Sequence, residues 1–189
     1  MRVVNTDVAV LPQLTSNPPI LPVLEEFTGS PLLGLALLKQ NTRPLHVLII
    51  RYRQRFDINL SFFVCLLKAW PHLKHLEVAE GSGYSFLDIN SIVNSCTGLI
   101  TFKCTISGEW TRNKDDLEIY YHDVMYSLPN LLVFDTWIED VADEDITLAH
   151  RAAVNNALAC TRHRNQDGVI VSVYQQYSDI PFVIKQYLR

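Results

Sequence analysis

Apolar positions along the chain follow a helical period in three places, and these places align with one another. The stretches are "LLKAWPHL" at 66–73, "IVNSCTGL" at 92–99 and "VMYSLPNL" at 124–131. Each opens with two large apolar residues, carries an apolar or thiol residue four positions after the first, and ends in leucine. With the apolar residue three positions upstream, each has the i, i+3, i+4, i+7 spacing of a one-sided helix. The predicted buried stripes are Phe63/Leu66/Leu67/Trp70, Ile89/Ile92/Val93/Cys96 and Tyr121/Val124/Met125/Leu128.

After each closing leucine the apolar period changes to two, which predicts a half-buried strand. The strand stretches are "LHVLII" (45–50), "LKHLEV" (73–78), "LITFKCTI" (99–106) and "LLVFDTW" (131–137). Proline in several connectors favours the end of a helix there. The residues predicted to point into the core are Leu48, Ile50, Leu76, Val78, Phe102, Cys104, Ile106, Phe134 and Thr136.

The closing leucines divide the chain into units of similar size. Leu45, Leu73, Leu99 and Leu131 are separated by 28, 26 and 32 residues. Each interval holds a strand, a loop and a helix, a unit too small to bury its own apolar face, so neighbouring units are expected to stack. The pattern predicts an α/β protein built as a short right-handed solenoid.

Weaker patterns extend this organisation to both ends of the chain. "GVIVSVY" (168–174) predicts a fifth strand after a helix over 146–162, "PLLGLALLKQ" (31–40) predicts a helix, and "TDVAVL" (6–11) an irregular strand. We therefore expect a single domain over 1–189. Its parts are an irregular N-terminal cap at 1–30, repeats at 31–175, and a C-terminal cap or tail at 176–189 that packs on the last unit or pairs with another copy.

Three of the strand stretches resemble the motif of irregular leucine-rich repeats. They are Leu-x-x-Leu-x-Ile (45–50), Leu-x-x-Leu-x-Val (73–78) and Leu-x-x-Phe-x-Cys (99–104), and "LPNL" (128–131) is similar to connectors of fungal-type F-box/leucine-rich-repeat proteins. The asparagine that usually follows the repeat strand is absent, and no F-box is evident. The resemblance implies a parallel sheet on a concave face, helices on a convex face, and protein recognition without catalysis.

Alternation along the strands predicts which residues a protein partner would contact. If the core residues face inward, alternate residues such as Ile49 face the groove, and the loops after the strands add further aromatic residues. Trp, Tyr and Arg are the types that dominate binding hot spots. The predicted partner-binding residues are Arg51, Arg53, His75, Glu77, Tyr84, Lys103, Thr105, Trp110, Asp135 and Trp137. The alternatives are that the arginines form a charged rim and that the two tryptophans cover gaps in the core.

Candidate reactive residues lack the spacing that catalysis or metal binding requires. His72 and His75 are three apart, but the first falls in a connector and the second in a strand, so they do not share a helical face. The four cysteines are widely spaced and are expected to be reduced, buried thiols. The acidic run 135–145 lacks EF-hand spacing and is expected to supply an acidic first turn for the following helix. No catalytic residue, metal or cofactor is expected.

Composition narrows the class of partner. The net charge of −4 gives no basic surplus for nucleic acid or anionic membranes. The longest apolar run, "PLLGLALL" (31–38), is far short of the ~20 residues that span a bilayer, and no signal peptide is recognised. These features predict a soluble protein of the cytoplasm or nucleus.

The function expected from the sequence is binding of a protein partner through the concave face and its loops. One alternative is a substrate-recognition subunit of an F-box-type ubiquitin ligase without a clear F-box, whose partner would include a ubiquitin-ligase adaptor. Another is a small α/β enzyme with a doubly wound sheet. Strand order distinguishes the enzyme from the two binding proteins. A doubly wound sheet reverses its strand order at one point, whereas a solenoid does not.

Overall fold

The computed structural model describes residues 2–4, 26–29, 45–51, 60–68, 70–79, 85–107, 113–138, 144–161, 168–175 and 180–186. These ranges form an α/β structure, as the sequence predicts. The strands are β1 (Arg2–Val4), β2 (Glu26–Gly29), β3 (Val47–Arg51), β4 (His75–Ala79), β5 (Thr101–Ile106), β6 (Val133–Ile138), β7 (Ile170–Gln175) and β8 (Pro181–Gln186). The helices are α1 (Leu60–Lys68), α2 (Phe86–Val93), α3 (Lys114–Ser127) and α4 (Glu144–Thr161).

The strands form one sheet whose spatial order is the order of the chain, β1 to β8. Each strand from β1 to β7 runs parallel to its neighbours. The exception is β8, which pairs antiparallel with β7 and carries an irregularity beside Val173 and Tyr174. No reversal of strand order occurs within the described part of the sheet.

The connectors before the strands repeat the same hydrogen bonds in successive units. The N–H of Leu73, Leu99 and Leu131 donates to the carbonyl oxygen three residues earlier, at 3.0, 3.1 and 3.1 Å. The residue after each closing leucine donates to the equivalent carbonyl of the preceding unit: Lys74 to His46, Ile100 to Lys74, and Leu132 to Ile100. Each unit therefore rests on the previous one through the backbone as well as through side chains.

The predicted helix stripes are buried wherever the structure describes their side chains. Phe63, Leu67, the four residues of the second stripe and the four of the third are at most 6% exposed, as is Trp70. Helix α1 ends at Lys68 and α2 at Val93, so Trp70 and Cys96 lie in the turns that follow. Both side chains are still buried in the core. Backbone hydrogen bonds to the carbonyl three residues earlier continue the turn of the helix through these connectors.

The helix-facing side of the sheet forms the other half of the core. Leu48, Leu76, Phe102 and Phe134 stand in register on adjacent strands and are at most 1% exposed. The rings of Phe102 and Phe134 stack with centroids 5.7 Å apart. All core-facing residues predicted from alternation in β3 to β6 are buried, which confirms the register of these strands.

Other parts of the structure differ from the sequence predictions or lie beyond them. The sequence pattern predicts neither β1 and β2 nor the antiparallel pairing of β8, although packing of the tail on the last unit is one of its two alternatives. The predicted strand at 6–11 and helix at 31–40 lie outside the described residues. The prediction of four buried thiols is wrong for Cys65 and Cys160, which are exposed on α1 and α4, whereas Cys96 and Cys104 are buried.

Candidate functional site

Alternate residues of the strands form a second face of the sheet, opposite the face on which the helices pack. We call it the outer face. Parallel register arranges its side chains in rows across neighbouring strands. One row contains Ile49, Glu77, Lys103, Asp135, Ser172 and Ile184. The row before it contains Val47, His75, Thr101, Val133 and Ile170, and the row after it includes Thr105, Trp137 and Tyr174.

The structure brings six of the ten predicted binding residues together on this face. They are His75, Glu77, Lys103, Thr105, Asp135 and Trp137. Arg51 occupies the next register position on β3, but its side chain is outside the described set. Arg53, Tyr84 and Trp110 also lie outside the described residues.

The central row contains an ion pair between two of the predicted residues. Nζ of Lys103 donates to Oδ2 of Asp135 at 2.9 Å, and the two side chains are 34% and 8% exposed. Desolvation by burial lowers the pKa of Lys103, but the hydrogen bond to Asp135 and the charges of Asp135 and Glu77 outweigh it and raise the pKa overall. Lys103 therefore stays charged at neutral pH. Two of the predicted binding residues, Lys103 and Asp135, thus already pair with each other within the chain.

An aromatic pair stands beside this ion pair. The rings of Trp137 and Tyr174 stack with centroids 4.9 Å apart and planes 15° from parallel, because their strands are adjacent and in register. Both residues are half-buried. Thr105, next in the row, is only 4% exposed. The pair is thus a rigid, partly accessible aromatic surface of the type found in binding hot spots.

The other end of the outer face is apolar. Ile170 is 37% exposed, Ile184 is 61% exposed and Val133 is half-buried. Val133 and Ile170 are register partners on β6 and β7, so their side chains are neighbours on this face. Ile170, Ser172 and Tyr174 also lie on this face without being among the predicted binding residues, although the same alternation in "GVIVSVY" identifies them.

On the opposite side of the sheet, polar groups are enclosed in the core. Sγ of Cys104, the hydroxyl of Tyr120 and Oγ1 of Thr136 lie within hydrogen-bonding distance, with Tyr120 3.2 Å from each of the other two. Burial raises the pKa of the Cys104 thiol to about 12, despite hydrogen bonds that lower it. This thiol is therefore protonated at neutral pH and poorly suited to nucleophilic chemistry.

The two histidines lie in different elements of the structure. His72 is exposed in the connector, where its carbonyl lies 3.1 Å from Nδ1 of His46, and His75 is exposed on β4. The described ranges contain no cluster of three or more His, Cys, Asp or Glu side chains arranged to hold a metal. The predicted acidic first turn is present at Glu144 and Asp145 of α4.

Comparisons with family models, with curated proteins and with solved structures found no match to this chain. Among the described helices, none combines the length and the hydropathy needed to cross a membrane.

Proposed function

We propose that this protein is a binding module that recognises another protein through the outer face of its sheet. The observation that carries the proposal is the Trp137–Tyr174 stack, held beside the Lys103–Asp135 ion pair at fixed register. A preorganised aromatic surface loses little side-chain entropy when a partner binds. The exposed Ile170 and Ile184 enlarge the apolar area available to that partner.

The architecture we propose for this module is a leucine-rich-repeat-like solenoid, with the outer face on its concave side. Two observations support it: the strands pair in chain order, and the connectors repeat the same hydrogen bonds from unit to unit. The same strand order disfavours a doubly wound enzyme, whose ligand site lies at a reversal of order.

Capture from native extract tests the proposed function when it is combined with matched surface variants. We expect the wild type to retain a protein that Trp137→Ala/Tyr174→Ala loses. The control, Ile119→Ala/Leu148→Ala, removes two exposed apolar side chains from α3 and α4 and should retain it. Circular dichroism at pH 7 establishes that all three are folded. Equal retention by both variants would contradict binding through the outer face.

A further inference from the structure

His150 connects three elements at the C-terminal end of the structure. It belongs to α4 and is 0% exposed. Its Nδ1 lies 2.8 Å from the hydroxyl of Tyr121 on α3, and the two rings meet edge-on with centroids 5.8 Å apart. Its ring also meets that of Phe182 on β8 edge-on, at 5.9 Å. A single buried imidazole therefore contacts both the neighbouring helix and the last strand.

The two nitrogens of this imidazole differ in their surroundings. Nε2 is buried, and no hydrogen bond to it is present among the described residues. A neutral ring satisfies Nδ1 through Tyr121 in either tautomer. A protonated ring has two N–H donors, and the one at Nε2 would be buried without an acceptor, which is costly. Burial accordingly lowers the pKa of His150 to about 4.

Among the described residues around His150, none provides a compensating negative charge. Tyr121 is the titratable group that contacts it, and burial raises the pKa of that phenol well above its usual value. The carboxylate of Glu118, also on α3, accepts a hydrogen bond from Asn156 instead. The charged residue of β8 is Lys185, which is basic, and Arg151 next to His150 on α4 is exposed.

Of the elements that cover His150, β8 is held least firmly. It is the last of the described strands in the sheet order and, among them, pairs with β7 alone, next to an irregularity. Phe182 is half-buried and Ile184 is 61% exposed. By contrast, α3 and α4 are joined by fully buried side chains such as Tyr121 and Val154. Local opening follows the least stable contacts, so separation of β8 is the least costly way to hydrate the ring.

We propose that His150 is an acid-sensitive latch for β8: protonation of its imidazole breaks the contact with Phe182 and releases β8 from β7 and α4, while α3, α4 and β4–β7 stay folded. Release would free the edge of β7, which carries Ser172 and Tyr174 of the outer face. The latch does not depend on the proposed protein-binding function.

The direction of the pH effect follows from the two states of the ring. The closed state holds the pKa at about 4, and the open state returns it to the ordinary value of 6.5. The open state therefore binds more protons between these values, and closure weakens as pH falls from 6.5 towards 4. Between pH 7.5 and 4.5 the opening equilibrium should rise roughly 70-fold.

Hydrogen exchange of the β8 amides tests the latch. We expect protection at Phe182–Gln186, corrected for intrinsic exchange, to fall by roughly 70-fold from pH 7.5 to 4.5 in the wild type. Protection in β5 and β6 should change far less. In Tyr121→Phe/His150→Phe, which replaces the polar pair with rings of similar size, the selective loss in β8 should disappear. His122→Asn, at a half-buried histidine of α3, should keep the wild-type response.

Three results would overturn the proposal. They are unchanged protection in β8, an equal loss throughout the sheet, and a selective loss that persists in the double variant. If the double variant does not fold, the wild-type protein still provides a test. NMR titration of the His150 ring should show protonation coincident with exchange in β8, and titration without that loss would also contradict the latch.

Discussion

At the scale of single residues, the core contains polar groups that satisfy one another. Tyr120, Cys104 and Thr136 come from α3, β5 and β6, and their side chains meet in a buried hydrogen-bonded group. Removing one member of such a group leaves the others buried without that partner. This group therefore links the position of α3 to that of two strands.

Tyr120→Phe should lower the free energy of unfolding by about 1–2 kcal/mol, because the Cys104 thiol and the Thr136 hydroxyl each lose a buried partner. Urea denaturation measures this change. Tyr126→Phe, at a tyrosine that is 50% exposed, is the control and should change it by less than about 0.5 kcal/mol. Equal effects of the two substitutions would show that the buried hydrogen bonds contribute little.

Thiol labelling should divide the cysteines into two classes. Cys96 and Cys104 are buried and their pKa values are raised to about 12, whereas Cys65 and Cys160 are exposed. Iodoacetamide at pH 8 should therefore modify Cys65 and Cys160 in the folded protein and all four cysteines after unfolding. Peptide mass spectrometry identifies the sites. Rapid native labelling of Cys104 would contradict the described packing.

At the scale of elements, helix α2 has a well-defined beginning. Oγ of Ser85 accepts from the N–H of Asp88 at 3.2 Å, and the Asp88 carboxylate accepts from the N–H of Ser85 at 3.2 Å. This reciprocal pair satisfies backbone donors that a helix start otherwise leaves free. It also orients the short helix so that Ile89, Ile92 and Val93 face the core.

Ser85→Ala should lower the free energy of unfolding by about 1 kcal/mol, since it removes the acceptor that caps α2. Thermal or urea denaturation gives the value. Ser91→Ala, at an exposed position inside the same helix, is the matched control and should change stability by less than about 0.5 kcal/mol. A control variant as unstable as Ser85→Ala would exclude capping as the cause.

At the scale of the whole molecule, the described core includes the helix-facing side of the strands from β5 to β7. The side chains of Phe102, Cys104, Phe134, Val171 and Val173 are fully buried there. The last strand, β8, has a neighbour on one side only. In a structure whose elements contact mainly their neighbours, stability is expected to decrease towards the ends.

Native-state hydrogen exchange at pH 7.5 should reveal this gradient. We expect amides of β5 and β6 to exchange at least about 10-fold more slowly than those of β8, because each of these strands is paired on both sides and contacts α3. A uniform exchange rate over β5, β6 and β8 would indicate instead that the sheet opens as one cooperative unit.

Local periodicity was enough to predict much of the fold, and its limits have physical causes. The spacing of Leu45, Leu73, Leu99 and Leu131 located the units, because all four leucines are buried in the core at equivalent positions before a strand. The pairing of β8 depends on the edge of β7 that the rest of the sheet leaves unpaired. The local sequence "PFVIKQ" alone does not encode that edge. Exposure of Cys65 and Cys160 follows from helix orientation rather than from residue type.

The candidate site was predictable in part for the same reason. Alternation placed His75, Glu77, Lys103 and Asp135 on one face, since side chains in a strand alternate strictly. The Lys103–Asp135 pair and the Trp137–Tyr174 stack required the register between strands, and that register is set by packing across the whole sheet.

The most direct test of the outer face as a protein-binding surface is site-specific photo-crosslinking in native extract. A photoreactive phenylalanine analogue would replace Val133 on the outer face or, as the matched control, Ile119 on the exposed side of α3. We predict a discrete light-dependent protein adduct from position 133, absent from position 119 and lost when Trp137→Ala/Tyr174→Ala is added. An adduct from position 119 alone, or one from position 133 that survives this double substitution, would contradict recognition through the outer face.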